Sequence, residues 1–565
     1  MIYDKDKGFL PEREDLLGVF DEDRLCDLIP TEYGDSAYEE YFFDGEKGKD
    51  SNEGKRNSPK KSFAEMERLC LLATGNKGIS LRLKGGTVFG GSLTLRTDGR
   101  PLKISSYGEG KAVLCGGENV PYVLGIASSG VWVSNLEITG KTAYRGVYCS
   151  PEKYGVLRNV TVENCFVHDV NFLWEGELPP SETDPDGVDV DAVCPDKDSP
   201  SEAIARWKGV YSYEEDGVTQ YRYNRRSHGG IVFINGTFPK EGASWFENIF
   251  ILNNRVENVA RTGIYVANVW ADKPGVGYGR NKFVAESETY NLPTLGVGYY
   301  PHKNVVCSGN DVICAGGDGV ILSSVQNAFF EDNTCYFANY LGRTGYWNAG
   351  LWVFDADGAW IRGNEAGYTY MRHNSNDAQG FDLDNACRNV VFKRNYAYRN
   401  EGGGLLVCNN HTLVRFHNAD GTPVTDAEGA PKKELLQGRW YNNLVKDNLF
   451  VKNGNERDCT RSAFITVARE SDYLFAVDNT VILRGDIEGQ SVVNTEDESQ
   501  FCHNHYYRGN LFYSETPTNP KFTAGMLRER FVEGNLYHNV GDLSDAMGDT
   551  KPLSYGVRGG KEIRR

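Results

Sequence analysis

The clearest pattern in this 565-residue chain is a short apolar segment that ends in asparagine and recurs along the sequence. Eight segments share this frame, namely NIFILNN, NVVCSGN, NAFFEDN, GAWIRGN, NVVFKRN, NNLVKDN, LFAVDN and HYYRGN. Their final asparagines are residues 254, 310, 333, 364, 395, 448, 479 and 510. A period of this length, with alternating apolar positions and no helical stretch between strands, predicts a parallel β-solenoid whose coils stack like residues on one another.

The asparagines are expected at tight turns, in the left-handed backbone region that Asn tolerates. Most of them are 23 or 31 residues apart, and two separations are longer, 56 and 53 residues. Each longer separation is expected to contain an inserted loop or a coil that lacks its asparagine. A glycine opens another strand in most repeats, so each coil should have at least two strands, as in HGGIVFI, RTGIYVA, GGDGVIL, NAGLWVF, QGFDLD and GGGLLV.

The repeat has a predicted cap and three predicted insertions. In KSFAEMERLCLLA, Ser62 and Glu65 form a capping-box pattern that opens an amphipathic helix, and such a helix would cover the end of a solenoid. Long loops inside a compact repeat are usually functional or disordered, and the insertions are interpreted as walls around a cleft on one face; they span 171–228, 270–303 and 411–440. The predicted division is an N-terminal extension and capping helix at 1–75, a β-helix catalytic domain at 76–515 and a C-terminal coil or tail at 516–565.

The composition limits the structural class of the chain and the kinds of partner that it is expected to bind. The chain has 64 Gly and 32 Tyr but five Met, which favours short strands over long helices. Its net charge of −17 repels phosphate backbones and anionic lipid surfaces, so neither nucleic acid nor a membrane is expected as a partner. Thirteen Cys without a C-x-x-C element predict free, mostly buried thiols.

The start of the chain, MIYDKDKGFLPEREDLLGVF, has no apolar run behind a basic segment. This predicts a cytoplasmic protein, or a secreted one if a signal peptide has been removed. The pattern does not predict an oligomeric state.

The candidate chemistry lies in SNDAQGFDLD, which contains Asp377, Asp382 and Asp384. Alternate residues of a strand point to opposite faces, so Phe381 and Leu383 are predicted to point into the solenoid. Asp382 and Asp384 are then predicted to stand on its outer face.

The neighbouring coils add aromatic and acidic side chains to this patch. The same alternation turns Trp352 and Phe354 outward, one coil away at about 4.8 Å, and the glycine spacing stacks Glu401 on Asp377. Outward residues i and i+2 are about 6.5–7 Å apart, near the carboxylate spans of about 5–5.5 Å in retaining and 6.5–9.5 Å in inverting glycosidases. Crowded carboxylates separate in pKa, which gives a proton donor beside a nucleophile. A solvated Asp-x-Asp is also typical of a soluble surface or a calcium ligand pair.

Other polar residues are candidates for binding a sugar. Arg372, His373 and Arg399 flank the patch and are predicted to orient substrate or to form ordinary ion pairs. His228 and the outward Tyr265 are candidate subsite residues farther along the helix.

Two acidic groups have simpler interpretations. The first group lacks EF-hand spacing and predicts a solvated loop; it is Asp184, Asp186, Asp189 and Asp191. The second group follows a strand and predicts a turn; it is Asp355 and Asp357. No metal site is assigned and no cofactor is expected to be required, although the acidic loops leave room for structural calcium.

The sequence resembles the right-handed parallel β-helix carbohydrate-active enzymes of gut and plant-degrading bacteria. The resemblance rests on FDGEKGKDSNEGK, LRLKGGTVFGGSLTL, ISSYGEGKAVLCGG and the coils ending in Asn. It implies an all-β, right-handed parallel β-helix with an N-terminal capping helix and long loop insertions. Two aspartates seven residues apart around Gly-Phe-Asp look like the catalytic pair of the β-helix lacto-N-biosidase family, retaining enzymes that release a Gal-GlcNAc disaccharide. That resemblance implies Asp377 as acid/base, Asp384 as nucleophile and Asp382 as a supporting carboxylate.

Three functions remain open at this point. The first is a glycoside hydrolase on an oligo- or polysaccharide, with aromatic platforms and a carboxylate pair. The second is a polysaccharide lyase or uronate epimerase, which needs a base and positive charge or calcium, and the acidic patch disfavours it. The third is a non-catalytic carbohydrate-binding solenoid, for which the outward aromatic residues would suffice.

Overall fold

The computed structural model describes most of the chain. The described residues are 2–4, 8–10, 16–31, 38–72, 77–171, 212–215, 218–221, 226–235, 244–268, 300–340, 348–371, 377–409, 412–415, 425, 429, 433–436, 440–454, 462–469, 471–495, 502–523, 527, 529–558 and 561–564. Within them, no helix is long and apolar enough to cross a membrane.

Three long sheets wind around one apolar core as a right-handed parallel β-helix, which confirms the predicted fold class. Each complete coil contributes one strand to each sheet. The first sheet has 14 strands: Tyr38–Phe43, Gly78–Lys84, Leu102–Tyr107, Val131–Ser134, Gly155–Glu163, Ser244–Leu252, His302–Ser308, Val325–Glu331, Asp357–Arg362, Val391–Lys393, Tyr441–Lys446, Ser471–Val477, Cys502–Arg508 and Arg530–Glu533.

The second sheet has 15 strands: Val88–Gly90, Ala112–Cys115, Leu136–Gly140, Phe166–Val170, Arg255–Val259, Asp311–Ala315, Thr334–Tyr336, Glu365–Gly367, Tyr396–Tyr398, Leu449–Val451, Thr480–Ile482, Leu511–Tyr513, Leu536–His538, Leu553–Arg558 and Lys561–Arg564, the last two pairing antiparallel. The third has 12: Leu93–Leu95, Leu124–Ile126, Arg145–Cys149, Gly229–Ile234, Thr262–Ala267, Val320–Ser323, Leu351–Phe354, Gln379–Asp384, Gly403–Asn409, Ile465–Arg469, Ser491–Thr495 and Lys521–Thr523. Outside these sheets, the described residues contain three antiparallel hairpins, which pair Ile2–Asp4 with Gly8–Leu10, Ser212–Glu215 with Val218–Tyr221, and Thr412–Arg415 with Lys433–Leu436.

The repeated asparagines form a buried ladder at the turn from the first sheet to the second. In the central coils, Asn364 Nδ2 donates to Asn395 Oδ1 at 3.0 Å and to Phe330 O at 2.8 Å, and Asn364 Oδ1 accepts from Asn333 N and Nδ2 at 3.0 and 2.9 Å. The same pattern runs from Asn254 to Asn535, and Asn535 Nδ2 donates to the carboxylate of Asp549. Each rung satisfies buried amides that water cannot reach.

The predicted backbone conformation of these asparagines is wrong. The left-handed residue is the one before each ladder asparagine, as in Asn253 (φ 52°), Asp332 (φ 52°) and Arg394 (φ 58°). The chain turns one residue early, and this directs the following asparagine side chain inward to the ladder.

Both long separations are inserted loops. Asn254 Nδ2 bonds directly to Asn310 Oδ1 at 3.0 Å, and Asn395 Nδ2 bonds directly to Asn448 Oδ1 at 3.1 Å. The coils on either side of each insertion are therefore adjacent in space, and no coil is missing.

Helices cover the apolar core near its ends. Helix α1 spans Phe63–Leu72 and buries Phe63 and Met66 in the main core, while Glu65 N donates to Ser62 Oγ at 3.1 Å as a capping box requires. Helix α2 spans Leu543–Met547, and both of its terminal residues are in the same core. The domain boundaries drawn from the sequence stay a prediction.

The segment 16–31 lies on the outer surface of the first sheet. Trp360 Nε1 donates to Asp21 O at 2.8 Å, and the guanidinium of Arg24 lies 4.5 Å from the Trp360 ring centroid. The carboxylate of Glu22 pairs with Lys393 at 3.0 Å and Lys446 at 2.8 Å. These contacts fasten the N-terminal segment across the coils.

Candidate active site

The strand Gln379–Asp384 has the predicted alternation. Phe381 and Leu383 are in the main core, and the register sets Asp382 beside Trp352 and Asp384 beside Phe354 on the adjacent strand. The two carboxylates and the two aromatic side chains therefore lie on the same outer face of the third sheet.

This outer face is itself buried, which the sequence did not predict. Trp352 is 4 % exposed, Phe354 7 % and Asp382 5 %. Trp352 and Phe354 belong to an apolar cluster on the outer side of the sheet that also contains Tyr265 and Ile321. Asp382 is therefore not a solvated surface residue, and the explanation of Asp382 as a soluble-surface group is wrong.

Burial raises the pKa of Asp382 well above its ordinary value, and the negative charges of Asp384 and Asp377 raise it further. The guanidinium of Arg226 acts in the opposite direction. Asp382 Oδ1 has no hydrogen-bond partner in the part of the chain that the structure describes. This environment therefore favours the neutral, protonated form of the Asp382 carboxyl group over the charged form.

The carboxylate of Asp384 is held by the next residue. Asp384 Oδ1 accepts from Asn385 N at 2.8 Å and from Asn385 Nδ2 at 2.5 Å. Asn385 is buried, so it can fix the direction of the carboxylate. Asp384 is also more accessible than Asp382.

Asp377 and Glu401 occupy equivalent positions of successive coils, as predicted. The register pairs Gln379 with Gly403, two residues beyond each of them. The Glu401 carboxylate is bound to the backbone, because its Oε2 accepts a hydrogen bond from Met371 N at 2.6 Å.

Arg399 lies at the turn between the second and third sheets. Its guanidinium is 5.6 Å from the Tyr398 ring centroid, and it lines a cavity together with Glu401. The structure therefore places these two candidate substrate-binding residues at the turn, whereas Trp352 and Phe354 lie beside the aspartates.

A buried ion cluster next to Trp352 was missed by sequence reasoning. Asp318 is fully buried and pairs with Arg261 Nη1 at 2.7 Å and Arg226 Nε at 3.4 Å. Its other oxygen accepts from Trp352 Nε1 at 3.0 Å and Ala349 N at 3.2 Å. The Arg226 guanidinium also lies 4.8 Å from the Trp352 ring centroid. The only sequence signal for this cluster is Asp318 in GGDGVIL, at the position where most of the repeats have no acid.

The structure also describes the predicted residues Tyr265, His228 and Asp355. Tyr265 is in the outer apolar cluster, and His228 is buried at the preceding turn, stacked on Tyr144 at 5.4 Å. Asp355 has a left-handed φ of 50° and pairs with Arg388, which fits its predicted turn.

Some predicted residues lie outside the described part of the chain, namely Arg372, His373, Asp184, Asp186, Asp189 and Asp191. Most of each predicted insertion also lies outside it, so the cleft stays a prediction. No group of three or more metal-ligating side chains occurs among the described residues.

The three sheets form a right-handed parallel β-helix, and two carboxylates lie on the outer face of its third sheet. The sequence is similar to lacto-N-biosidase from Bifidobacterium longum subsp. longum, with 24% identity over 429 residues that make up 65% of this chain and 25% of that protein. The structure is similar to GH136 lacto-N-biosidase from Eubacterium ramulus, with a TM-score of 0.53 and 18% identity over 89% of this chain and 68% of that chain. No family model matches the sequence.

The chain spans about a quarter of the length of the curated relative it matches. The resemblance that the motifs predicted, to β-helix carbohydrate-active enzymes and to the lacto-N-biosidase type among them, is confirmed. The chain is thus a β-helix protein that is similar in sequence and in fold to proteins named lacto-N-biosidase.

Proposed function

We propose that the chain is a glycoside hydrolase that cleaves a neutral oligosaccharide through the carboxylates of Asp377 and Asp384. The observation that carries the proposal is the pair of neighbouring outward acids, Asp382 and Asp384, in different environments. Asp382 is buried with a raised pKa, and Asp384 is more accessible and held by Asn385. A buried acid with a raised pKa next to a more accessible acid, both beside aromatic side chains, suits glycosidic bond cleavage.

The proposed reaction is the retaining one. Asp384 attacks the anomeric carbon while Asp377 gives a proton to the leaving oxygen, and Asp377 then takes a proton from the water that releases the sugar from Asp384. Asn385 keeps the nucleophile oriented. Asp382 in its neutral form adds no second charge beside the nucleophile, and its O–H can donate to Asp384 or to a sugar hydroxyl. No step needs a cofactor.

The substrate proposal rests on similarity. Two proteins named lacto-N-biosidase resemble the chain in sequence or in fold, so the proposed substrate is a glycan that carries a Gal-GlcNAc unit. A lyase is less well supported because it needs a cation to neutralise a uronate, and Arg226 and Arg261, two described arginines near Trp352, are already paired with Asp318.

The first test is product analysis on neutral and uronate-containing oligosaccharides, following reducing ends and the ultraviolet absorbance of an unsaturated uronate together. Hydrolysis gives reducing ends without absorbance. Reducing ends with absorbance would establish a lyase, and no new reducing ends on any glycan would favour the non-catalytic solenoid.

The second test separates the two catalytic roles. Asp377→Asn should lower kcat by about 10²–10⁴-fold on a natural glycan, and should lose much less on an aryl glycoside whose leaving group needs no proton. Asp384→Asn should lose activity on both substrates. Asp311→Asn removes an exposed acid and is the matched control. Equal losses for Asp377→Asn on the two substrates would contradict its role as acid.

A further inference from the structure

A second row of unusual residues lies at the turn from the second sheet to the third. Phe337, Tyr368, Arg399 and Lys452 occupy successive coils there, with left-handed φ values of 60°, 54°, 48° and 52°. Bulky side chains rarely adopt this backbone region. At the other turn, from the first sheet to the second, equivalent left-handed positions in the same part of the helix are mostly Gly, Asn or Asp. Large side chains are thus retained at this turn against the backbone preference, a pattern found at functional sites.

The two aromatic members of this row, Phe337 and Tyr368, form a continuous, partly exposed surface with Tyr370 and Tyr398. Phe337 stacks on Tyr368 with 5.4 Å between ring centroids, and on Tyr370 with 6.2 Å. Tyr368 meets Tyr398 edge-on at 5.3 Å. All four rings are partly exposed, so part of each ring is available to a ligand. We call these four residues the aromatic turn.

A cavity of about 650 Å³ adjoins the aromatic turn. Its wall includes Tyr368 and six charged residues, three cationic and three acidic: Arg399, Lys452, Arg484, Glu401, Asp486 and Glu515. Arg484 binds Asp486 through two bonds, Nε to Oδ1 at 3.1 Å and Nη2 to Oδ2 at 2.6 Å. Equal numbers of both signs give no net charge with which to attract a uronate or a phosphate. They do present donors and acceptors side by side, which suits neighbouring sugar hydroxyl groups.

We propose that the aromatic turn and this cavity form a second, non-catalytic binding site for a neutral oligosaccharide. Sugar rings would lie against Phe337 and Tyr368, and hydroxyl groups would bond to the Arg484–Asp486 pair. The site is built from the second sheet and its turn, whereas Asp382 and Asp384 are on the third sheet; Asp377 is at the equivalent turn of the adjacent coil. Glu401 connects the two regions, because it lines the cavity and occupies the position equivalent to Asp377 in the adjacent coil.

The test is calorimetric titration of the Asp384→Asn chain, which removes turnover. The probes are lacto-N-tetraose and cellohexaose as neutral oligosaccharides and hexagalacturonate as the charged one. At least one neutral probe should bind at a site that Tyr368→Ala, added to Asp384→Asn, weakens about tenfold. Hexagalacturonate should not bind there.

Arg484→Ala is the second variant, because it removes a partly exposed cavity group without changing the ring stack. It should weaken the same binding event. Tyr513→Ala is the matched control: Tyr513 is also an outward tyrosine of the second sheet, stacked on His538 outside the cavity.

Undiminished binding of both neutral probes in the Tyr368→Ala and Arg484→Ala chains would overturn the proposal, and so would no binding of either neutral probe by Asp384→Asn. An equal loss in Tyr513→Ala would also overturn it, because the effect would then be general to the sheet. A chain that binds through the aromatic turn but hydrolyses nothing would support this site and refute the proposed hydrolase.

Discussion

Replacing Asp382 by Asn should make the protein more stable than the parent at neutral pH. The Asp382 carboxyl is buried beside the charges of Asp384 and Asp377, which hold its pKa well above the ordinary value of 3.8. In the unfolded chain the group loses its proton near that ordinary value. Between the two pKa values the native state therefore holds one proton more than the unfolded state.

That difference sets both the sign and the size of the effect. With one extra proton on the native state, the free energy of unfolding falls by about 1.4 kcal/mol for each pH unit as the pH rises through this window. The amide that replaces the carboxyl in Asp382→Asn has no proton to lose, so this slope disappears. Below the unfolded pKa the carboxyl is neutral in both states, and the two proteins should differ little there.

Urea denaturation measured from pH 4.5 to 8 tests this, because urea does not screen charge. The stability advantage of Asp382→Asn over the parent should grow with pH and level off above the folded pKa of Asp382. Asp311→Asn, an exposed substitution with the same change of charge, should show no such growth. A pH-independent difference between Asp382→Asn and the parent would mean that Asp382 is ionised in the folded protein, and the proposed neutral role would be wrong.

Two further predictions concern the scaffold. Asn364→Ala removes four side-chain hydrogen bonds of the ladder, each worth about 0.5–1.5 kcal/mol, so urea unfolding should show a loss of about 2–6 kcal/mol; a loss no greater than that of the exposed Asn57→Ala would contradict the ladder. Glu22→Gln should release the segment 16–31, because it removes the charge that pairs with Lys446 and Lys393. Burial raises the pKa of Glu22, but the two ammonium groups outweigh burial and lower the pKa. The ionised Glu22 therefore stabilises the fold above its ordinary pKa, and this stabilisation is lost as the pH falls through the pKa of the folded state. Limited proteolysis near neutral pH should cut the variant first within 16–31. An unchanged cleavage pattern would show that the ion pair does not hold this segment.

The coil architecture could be predicted from sequence because strand alternation and the Asn period are local signals. The direction of Phe381, Leu383 and the two aspartates followed from the period of two alone. The Asn conformation could not be predicted in the same way: a turn residue and a ladder residue are adjacent in sequence, and the pattern does not show which of them takes the left-handed angle. Here the backbone turns at Asn253 and the side chain of Asn254 enters the ladder.

The environment of the site was harder to predict, because it depends on residues that are distant in sequence. Asp318 meets Arg261 57 positions away and Arg226 92 positions away, and no local pattern links them. The burial of Asp382 has the same origin, since alternation gives the direction of a side chain but not what covers it. The contact between Trp360 and Asp21, 339 positions apart, shows why an N-terminal extension could be predicted but not its place on the first sheet.

The direct hydrogen bonds from Asn254 to Asn310 and from Asn395 to Asn448 show that a coil can contain more residues without making the β-helix taller. An insertion that lengthens one turn from 23 to 56 residues adds only about 0.8 kcal/mol of closure entropy, while the coils on either side remain in register. Loops at these two positions can therefore be exchanged, shortened or extended as independent parts. A scaffold of this kind can acquire a new ligand preference by replacing a loop, while the strand that holds Asp382 and Asp384 stays where it is.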